Sequence, residues 1–373
     1  MSEHGVDVLV VGAGVAGAAV AESLARSQGI DVMVVESDRT PGLHSSGRSV
    51  AVFDPLYGDD AVRRLSAVSR PLLDDGLDGS GVSLLTPRPL VLVARPEQRE
   101  RMAQAYPPGT AGITRLAEDE VRSLFPALRP GVIDSAVMHT GGADLDVARL
   151  HDGLLARARR AGARVLVDHP VSSVRPQDDH RWVVTAGDQV VRAGVVVNAA
   201  GAWADHVAGL AGARPLGVVP LRRSVAATRS DRPDSARWAM LVDVDMEWYL
   251  KPDGGTFLLS PADAVPVEPG DPRPDELELA RAIDAVNDAT TLGVRSVIRT
   301  WAGLRSYVAD QRPLIGFDAQ VPGLFWHGAF GGFGLQVAPA AGMLAAALIT
   351  GAQPAVDPLP YSPIRLDASG GSA

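Results

Sequence analysis

Residues 6–17 read Val-Asp-Val-Leu-Val-Val-Gly-Ala-Gly-Val-Ala-Gly. The first six residues are mostly apolar and rich in valine, which predicts a strand buried on both faces of a parallel sheet. Gly12, Gly14 and Gly17 follow as a G-x-G-x-x-G turn, and the segment 18–27 after the turn has high helix propensity. A strand, a glycine turn and a helix in this order predict the start of a doubly wound α/β domain.

The glycine spacing also predicts a ligand. Gly12 permits a tight turn, Gly14 lets a pyrophosphate approach the backbone, and Gly17 lets helix and strand pack closely. The start of the helix offers unpaired N–H groups to phosphate oxygens. Residues 31–35 predict the next strand, and Glu36 at its end can accept hydrogen bonds from an adenosine ribose. We therefore predict a dinucleotide-binding β-α-β unit.

The composition is that of a globular protein. Of 373 residues, 46% are hydrophobic and 21% are charged, as in folded domains, and the length favours two domains. The net charge of −9 disfavours a nucleic-acid partner. Because there is no cysteine, disulfides, thiolate nucleophiles and zinc–thiolate centres are excluded, and we expect no metal site.

The apolar stretch 8–21 could be mistaken for a signal peptide. Glu3 and Asp7 precede it, where a signal peptide would carry basic residues, and glycines interrupt it. No segment has the roughly 20 continuous apolar residues of a membrane-spanning helix. We expect a cytoplasmic protein with no integral membrane segment.

Two kinds of pattern alternate along the chain. Around residues 144–198 the α/β pattern returns, with a helix that Asp144 or Asp146 can cap, whereas residues 71–94 and 215–260 show short alternating segments typical of antiparallel strands. We predict an α/β protein in which a Rossmann-type domain is combined with an inserted antiparallel α+β substrate domain. The dinucleotide domain is assigned to residues 1–52, 144–215 and 297–373, and the substrate domain to residues 53–143 and 216–296.

Five later motifs narrow the family. They are Pro-Gly-Leu-His-Ser-Ser-Gly-Arg-Ser at 41–49, Asn-Ala-Ala-Gly-Ala-Trp at 198–203, Thr-Trp-Ala-Gly-Leu-Arg at 300–305, Asp-Gln-Arg-Pro-Leu-Ile-Gly at 310–316 and Gly-Gly-Phe-Gly-Leu-Gln at 331–336. In this order they resemble the glycine oxidase/D-amino-acid oxidase (DAO) family, and within it most closely the bacterial D-arginine dehydrogenases. The resemblance runs from about residue 7 to residue 348, and it implies an FAD-binding domain of the Rossmann type.

The resemblance implies that FAD binds in an extended conformation. A glycine turn and helix start at the end of the chain would face the pyrimidine side of the flavin, where reduced flavin carries negative charge. We assign the following residues to the cofactor: Gly12, Gly14, Val15, Ala16, Gly17, Glu36, Ser37, His44, Ser45, Ser46, Gly47, Arg48, Ser49, Val171, Ala200, Gly201, Trp203, Gly303, Arg305, Gly331, Gly332, Phe333, Gly334, Leu335 and Gln336.

The same resemblance implies a substrate site. Arg222 and Arg305 match the arginines that bind the substrate carboxylate, Tyr57 and Tyr249 match hydroxyls that enclose it, and the carbonyl of Gly332 would accept from the substrate amine. The planar fork of arginine suits a carboxylate because it donates two parallel hydrogen bonds. Arg223 is an adjacent competitor for Arg222. His327, just before the last glycine turn, is a minor candidate for a functional role.

Departures from the D-arginine dehydrogenase pattern concern the substrate side chain. Leu90 stands where a glutamate would receive the guanidinium, and Val52 and Asp54 replace a histidine and a threonine. A cation beside Leu90 would be buried unpaired at a cost of about 3–5 kcal/mol, although Asp54 could rebuild a cation site. We predict a neutral or apolar substrate, with specificity set by Leu90, Asp54, Val52, Met240 and Val242.

The predicted activity is oxidative deamination of a D-amino acid to the 2-oxo acid and ammonia, by hydride transfer from Cα to flavin N5. The electron acceptor would be O₂, a quinone or another carrier. One alternative is oxidation of an N-alkylated or cyclic amino acid, such as sarcosine or a proline derivative; another is a non-catalytic nucleotide-binding protein. Without cysteine there can be no cysteinyl link to the flavin, so we expect non-covalent FAD.

Overall fold

The computed structural model describes residues 2–77, 79–177 and 181–366 of the chain. The helices are α1 Val15–Ala25, α2 Asp60–Asp74, α3 Arg99–Ala105, α4 Glu118–Leu124, α5 Val147–Arg160, α6 Ala204–Leu210, α7 Glu276–Ala289 and α8 Gly334–Thr350. The strands are β1 Ser2–Val11, β2 Val32–Val35, β3 Val52–Phe53, β4 Leu85–Pro87, β5 Leu90–Ala94, β6 Ile113–Leu116, β7 Ser135–His139, β8 Ala143–Leu145, β9 Arg164–Leu166, β10 Val171–Pro176, β11 Trp182–Ala186, β12 Gln189–Asn198, β13 Val219–Arg229, β14 Met240–Asp243, β15 Tyr249–Asp253, β16 Thr256–Ser260, β17 Val265–Pro266, β18 Val297–Tyr307, β19 Leu314–Phe317 and β20 Leu324–Gly328.

The first sheet has eight strands in the order β10-β11-β12-β1-β2-β9, with β20 beside β12 and β19 beside β20. The pairs β12–β1, β1–β2, β2–β9 and β12–β20 are parallel. Successive residues of β1 alternate between two cores: Val8 and Val10 pack with α1 and α8, whereas Leu9 and Val11 pack with Trp182 on the other face. Burial on both faces explains the continuous apolar run of β1.

The second sheet has nine strands and is mainly antiparallel, in the order β17-β13-β16-β15-β14-β5-β7-β6 with β18 beside β13. One face packs on α7 through Val286 and Ala282. The other face carries a separate apolar cluster that includes Leu90, Met240 and Tyr249. A third sheet, β3-β8-β4, connects segments of both predicted domains.

The α/β fold class is confirmed, and so is one of the two alternatives for the helix cap near residue 146. Asp146 caps α5 by accepting from the amide of Arg149, and Asp275 caps α7 by accepting from Leu277 and Glu278. The carboxylates thus satisfy N–H groups that have no partner inside the helix.

Two predicted domain boundaries shift. Residues 297–307 form β18 of the second sheet, although we had assigned them to the dinucleotide domain. Helix α2 packs on the first core through Val62 and Leu65, although we had assigned it to the substrate domain. We propose that these two segments exchange domains; residues 1, 78, 178–180 and 367–373 of the predicted ranges lie outside the described residues.

Candidate active site

A cavity of about 390 Å³ lies between the two large sheets. One wall contains the carboxyl ends of β1, β2 and β20, represented by Val11, Val35 and His327. The other wall contains residues of β13, β15 and β18. Ligands of open α/β sheets bind at the carboxyl ends of the strands, so this cavity is in the expected place for a dinucleotide.

The first glycine turn has no room for side chains. A Cβ at Gly12, whose φ is +102°, would lie 2.6 Å from the carbonyl oxygen of Ala199, and a Cβ at Gly17 would lie 1.9 Å from that of Gly12. Gly14 begins α1 without a capping side chain. Gly14, Val15 and Ala16 line the cavity, so a pyrophosphate can approach the start of α1.

Two side chains hold the turn in place. Glu36 is buried, and its Oε2 accepts from the amide of Ala13 at 2.7 Å while its Oε1 accepts from the hydroxyl of Ser37. The Ser46 hydroxyl accepts from the amide of Val15 at 3.0 Å. These contacts set the entrance of α1 and leave Glu36 in the cavity wall, where it can meet a ribose.

The segment 43–49 runs along the cavity and is tied to both sheets. His44 contacts Asp38 at 2.9 Å, and its ring lies 4.7 Å from that of Trp203. The Ser45 hydroxyl donates to the carbonyl of Leu304. Arg48 donates to the carbonyl of Ala302 and forms an ion pair with Asp271, so its guanidinium already has partners.

Most of the residues assigned to the cofactor line the cavity. These are Gly12, Gly14, Val15, Ala16, Glu36, Ser37, His44, Ser45, Ser46, Arg48, Ser49, Val171, Ala200, Gly201, Trp203, Gly303, Arg305, Gly331, Gly332, Gly334 and Leu335. The cavity residues of the last turn lead into α8. The side chain of its N-cap residue, Phe333, makes no capping hydrogen bond. This second helix start can stabilise negative charge on a ligand.

Four assigned residues do not line the cavity and act in packing instead. Gly17 and Gly47 allow close backbone approach, since a Cβ at Gly47 would lie 2.7 Å from the oxygen of Gly42. Phe333 packs against the ring of Tyr57. Gln336 is 1% exposed and hydrogen-bonds with the backbone of residue 54 and the hydroxyl of Ser66. The structure gives these four residues a supporting role, and their contact with the cofactor stays a prediction.

The structure places Arg223 in the cavity wall, and Arg222 outside it. In the antiparallel pair of β13 and β18, Leu221 lies opposite Arg305 and Arg223 lies opposite Gly303. Since side chains alternate along a strand, Arg223 shares a face with Arg305, and Arg222 points to the opposite face. There Arg222 binds two carboxylates, Asp263 at 3.0 Å and Asp275 at 2.8 Å. We therefore replace Arg222 with Arg223 as the candidate.

Arg223 and Arg305 bring positive charge into the cavity. Both are partly buried, and neither forms a salt bridge with any carboxylate of the described chain. The Nε and Nη1 atoms of Arg223 are buried without a hydrogen-bond partner. Burial and the nearby Arg305 lower the pKa of Arg223. Partly buried cations without counter-ions are costly, so this pair indicates a site for an anion.

Three tyrosines surround these arginines. Tyr249 lines the cavity, and its buried hydroxyl has no partner. Tyr57 does not line the cavity; it lies behind Arg305, with its hydroxyl 3.3 Å from Nη1. Tyr307 was missed by the sequence reasoning, and its hydroxyl accepts from the amide of Gly332 at 3.0 Å. The sequence signal that could have identified Tyr307 is its position two residues after Arg305, since alternate residues of a strand share a face. Burial alone would lower the pKa of Arg305. The three nearby tyrosines outweigh this effect, so the pKa is raised.

The predicted specificity residues lie behind the cavity wall. Leu90, Met240 and Val242 belong to the buried apolar cluster, with Val52 packed against it. None of them lines the cavity; Val50, Val225 and Tyr249 of the same cluster do.

Asp54 is not available to a cationic substrate. Its two carboxylate oxygens each lie 3.0 Å from Nδ1 of the buried His139. The Nε2 of His139 in turn lies 3.1 Å from the hydroxyl of Tyr106. The idea that Asp54 rebuilds a cation site is therefore not supported by this arrangement.

His327 lies in the cavity wall with a fully buried ring. Burial lowers its pKa to about 3, and neither ring nitrogen has a hydrogen-bond partner. The side chain is thus a neutral imidazole at physiological pH.

Across the described ranges, no three metal-binding side chains cluster, and no helix combines the length and apolar character needed to cross a bilayer.

Comparison with known proteins agrees with this geometry. The family model for FAD dependent oxidoreductases (DAO) matches residues 7–348. The glycine oxidase of Pseudomonas aeruginosa is 28% identical over 393 residues, covering 97% of this chain and 99% of that protein. The crystal structure of iminodiacetate oxidase from Chelativorans sp. BNC1 has a TM-score of 0.78 at 26% identity, covering 95% of this chain and 98% of that chain.

A third relative matches only in part. The mitochondrial dimethylglycine dehydrogenase of Mus musculus is 30% identical over 147 residues, which are 38% of this chain and 17% of that protein. The cavity itself fits FAD. Its first glycine turn has no room for a Cβ, and this turn, together with the start of α1 and the carboxylate of Glu36, suits an adenosine diphosphate. This chain therefore belongs to the DAO family of FAD-dependent oxidoreductases, and FAD is its cofactor.

Proposed function

We propose that this protein catalyses the oxidative deamination of a D-amino acid with a neutral or apolar side chain. The observation that carries the proposal is the pair Arg223 and Arg305, which face one cavity without a carboxylate partner in the described chain. A substrate α-carboxylate would supply the missing negative charge. The stereochemical preference rests on the family resemblance.

Each residue of the site has a proposed role. The guanidinium groups of Arg223 and Arg305 bind and orient the carboxylate, and Tyr57 holds Arg305 in place. The hydroxyl of Tyr249 has no protein partner and is proposed to donate to the same carboxylate. The carbonyl of Gly332 accepts from the substrate amine. Contacts with both the carboxylate and the amine fix the orientation of Cα, and this orientation favours the reaction.

FAD, when bound, accepts a hydride equivalent from Cα. The substrate loses this hydride and protons from its amine, and the resulting imino acid is hydrolysed by water. For the whole reaction, the zwitterionic amino acid, water and the oxidised cofactor give the 2-oxo acid, ammonium and the two-electron-reduced cofactor. No strong side-chain base is required if the amine binds neutral.

The residues of the cavity wall support the proposal that the substrate has a neutral or apolar side chain. Val50 and Val225 line the cavity, and Leu90 and Met240 lie behind them. Asp54 is held by His139. A cationic side chain would meet two further cations and no free carboxylate in this part of the described chain, so its burial would be unfavourable.

A second candidate is oxidation of an N-alkylated amino acid. The similarity to iminodiacetate oxidase and, over part of the chain, to dimethylglycine dehydrogenase supports it. Such a substrate would use the same carboxylate site, and it differs only at the amine.

An anaerobic screen tests both candidates. The FAD-loaded protein is mixed with D- and L-amino acids, N-methyl amino acids and 2-hydroxy acids, and loss of the oxidised flavin absorbance is followed. Rapid bleaching by neutral D-amino acids is expected. Selective bleaching by N-methyl amino acids would favour the second candidate, and a strong preference for D-arginine or D-lysine would refute the proposed side-chain class.

A further inference from the structure

Gln336 lies in the first turn of α8 and hydrogen-bonds with both backbone groups of Asp54. Its Oε1 accepts from the amide of Asp54 at 3.0 Å, and its Nε2 donates to the carbonyl of Asp54 at 3.1 Å. The other Nε2 hydrogen is donated to the hydroxyl of Ser66 at 2.7 Å. An amide N–H can only donate and a carbonyl can only accept, so these partners fix the orientation of the buried carboxamide.

The carbonyl of Asp54 joins this contact to Tyr57. The same oxygen accepts from the amide of Tyr57 at 3.1 Å, which closes a turn over residues 54–57. Within this turn, the carboxylate of Asp54 accepts from the amide of Leu56 at 2.9 Å and contacts Nδ1 of His139 at 3.0 Å. Gln336 therefore holds the first residue of the turn that carries Tyr57.

The side chain of Tyr57 extends from this turn to the substrate arginine. Its hydroxyl accepts from Nη1 of Arg305 at 3.3 Å. A Cβ on Gly332 would lie 2.4 Å from the hydroxyl oxygen, and the ring of Tyr57 meets that of Phe333 edge-on with centroids 5.7 Å apart. Because Tyr57 touches Arg305 and the last glycine turn at once, a shift of its backbone would change its contact with Arg305.

We propose that Gln336 is a positioning residue: by holding the turn 54–57 against α8, it places the hydroxyl of Tyr57 against the guanidinium of Arg305. This inference rests on the proposed function, because it takes Arg305 to bind the substrate carboxylate. Gln336 does not itself line the cavity and acts through Asp54 and Tyr57. Since it directly follows the last glycine turn, the cofactor-facing turn and Tyr57 share one support.

Removing the carboxamide should act on the site more than on the fold. In Gln336→Met the side chain keeps its bulk, but the amide of Asp54 loses its acceptor and its carbonyl keeps only the amide of Tyr57. A polar group left without a partner in the folded protein favours a shift of the turn. The contacts of Asp54 with His139 and of Tyr57 with Phe333 remain, so the turn should stay folded while the hydroxyl of Tyr57 moves from its place.

The test uses the FAD-loaded wild type, Gln336→Met and the matched control Ser66→Ala. The control removes one hydrogen bond of Gln336 but leaves both of its bonds to Asp54. Benzoate, a carboxylate that cannot be dehydrogenated at Cα, is titrated and followed by the flavin absorbance, with benzamide as its neutral counterpart. For Gln336→Met we expect a benzoate Kd roughly tenfold higher and a larger change in KM than in kcat. For Ser66→Ala we expect a benzoate Kd close to that of the wild type.

A double-mutant cycle with Tyr57→Phe distinguishes positioning from a general structural effect. If Gln336 acts through the hydroxyl of Tyr57, Tyr57→Phe raises the benzoate Kd, and adding Gln336→Met to it causes no further rise. If the two substitutions raise the Kd independently, so that their fold-changes multiply, the inference is overturned. A Tyr57→Phe variant that binds benzoate like the wild type would overturn it as well.

The outcomes separate this inference from the proposed function. If the wild type binds benzoate no better than benzamide, the carboxylate site is refuted and the inference falls with it. If the wild type binds benzoate but Gln336→Met matches Ser66→Ala, only the positioning role is overturned. A weaker FAD Kd with a normal benzoate Kd would assign Gln336 to the cofactor and also overturn it. Should Gln336→Met fail to retain FAD, Gln336→Asn replaces it: its shorter carboxamide cannot keep both bonds to Asp54, so the benzoate Kd should rise, and a normal Kd would overturn the inference.

Discussion

Exchanging the predicted roles of two adjacent arginines makes a sharp test of the site. Arg223→Met removes a guanidinium whose Nε and Nη1 have no protein partner, whereas Arg222→Met removes one that binds Asp263 and Asp275. The two substitutions are chemically identical and one residue apart. The β13–β18 register predicts opposite consequences for them.

For Arg223→Met we expect loss of catalysis without loss of stability. Removing one member of a desolvated charge pair costs about 2–4 kcal/mol, which is roughly 30- to 1,000-fold in kcat/KM. In the folded protein without substrate, the same change removes a repulsion between Arg223 and Arg305. The free energy of unfolding should therefore be unchanged or slightly higher.

For Arg222→Met we expect the reverse. The side chain of Asp263 is 4% exposed and would keep only the amide and hydroxyl of Ser224 as donors. An uncompensated buried carboxylate of this kind should lower the free energy of unfolding by about 2–3 kcal/mol. Because Arg222 does not line the cavity, kcat/KM should stay within a few-fold of the wild type.

The assay combines anaerobic flavin reduction with urea unfolding of the FAD-loaded proteins. A D-amino acid found in the substrate screen serves as substrate, and FAD content is measured for each variant. The reasoning is refuted if Arg222→Met loses kcat/KM while its unfolding free energy is normal, or if Arg223→Met turns over like the wild type.

Three further changes follow from the site. Gly332→Ala would place a Cβ 2.4 Å from the Tyr57 hydroxyl and 3.0 Å from Nη1 of Arg305. Steady-state kinetics should therefore show kcat/KM at least about tenfold lower. Gly153 has open space around it, so the control Gly153→Ala should leave kcat/KM unchanged. Glu36→Gln replaces a charged acceptor with a neutral one, and the FAD Kd, measured by fluorescence on reconstitution, should rise about tenfold; an unchanged Kd would contradict the ribose contact. Since the chain has no cysteine, acid precipitation should release the flavin into the supernatant, and flavin remaining on the precipitated protein would disprove a non-covalent link.

The cofactor half of the protein was predictable because its signals are local. The strand, glycine turn, helix and Glu36 lie within the first 36 residues, and each glycine has a steric reason that the structure reproduces at Gly12 and Gly17. The helix start at Asp146 was equally local, because a cap acts on amides two or three residues away.

Helix α2 shows where local reasoning fails. Pro71 suggested the start of a strand-rich region, yet it lies inside α2. Leu65 and Leu73 on this helix are fully buried. Packing of the apolar face against the first core outweighs the hydrogen bond that proline cannot donate.

The substrate half depends on strand pairing between distant segments. Arg222 and Arg223 are equivalent in the sequence, and only the register against β18 decides which one shares a face with Arg305. Tyr307 was missed for the same reason: its place beside Arg305 matters only once β18 is known to belong to the second sheet and to continue to residue 307. The register of one strand pair therefore selects three of the polar side chains around the candidate carboxylate site.

This division has a consequence for how substrate preference can change. Residues that approach the adenosine end of the groove come from the first sheet and its glycine turn, whereas Arg223, Val225 and Tyr249 of the cavity wall come from the second. A substitution on β13 or β15 can therefore alter the charge or size of the substrate end while the glycine turn and Glu36 keep their contacts. Arg305 and Gly332 are different, because they lie in close contact: a Cβ on Gly332 would be 3.0 Å from Nη1 of Arg305. Changes at that junction should affect substrate and cofactor together.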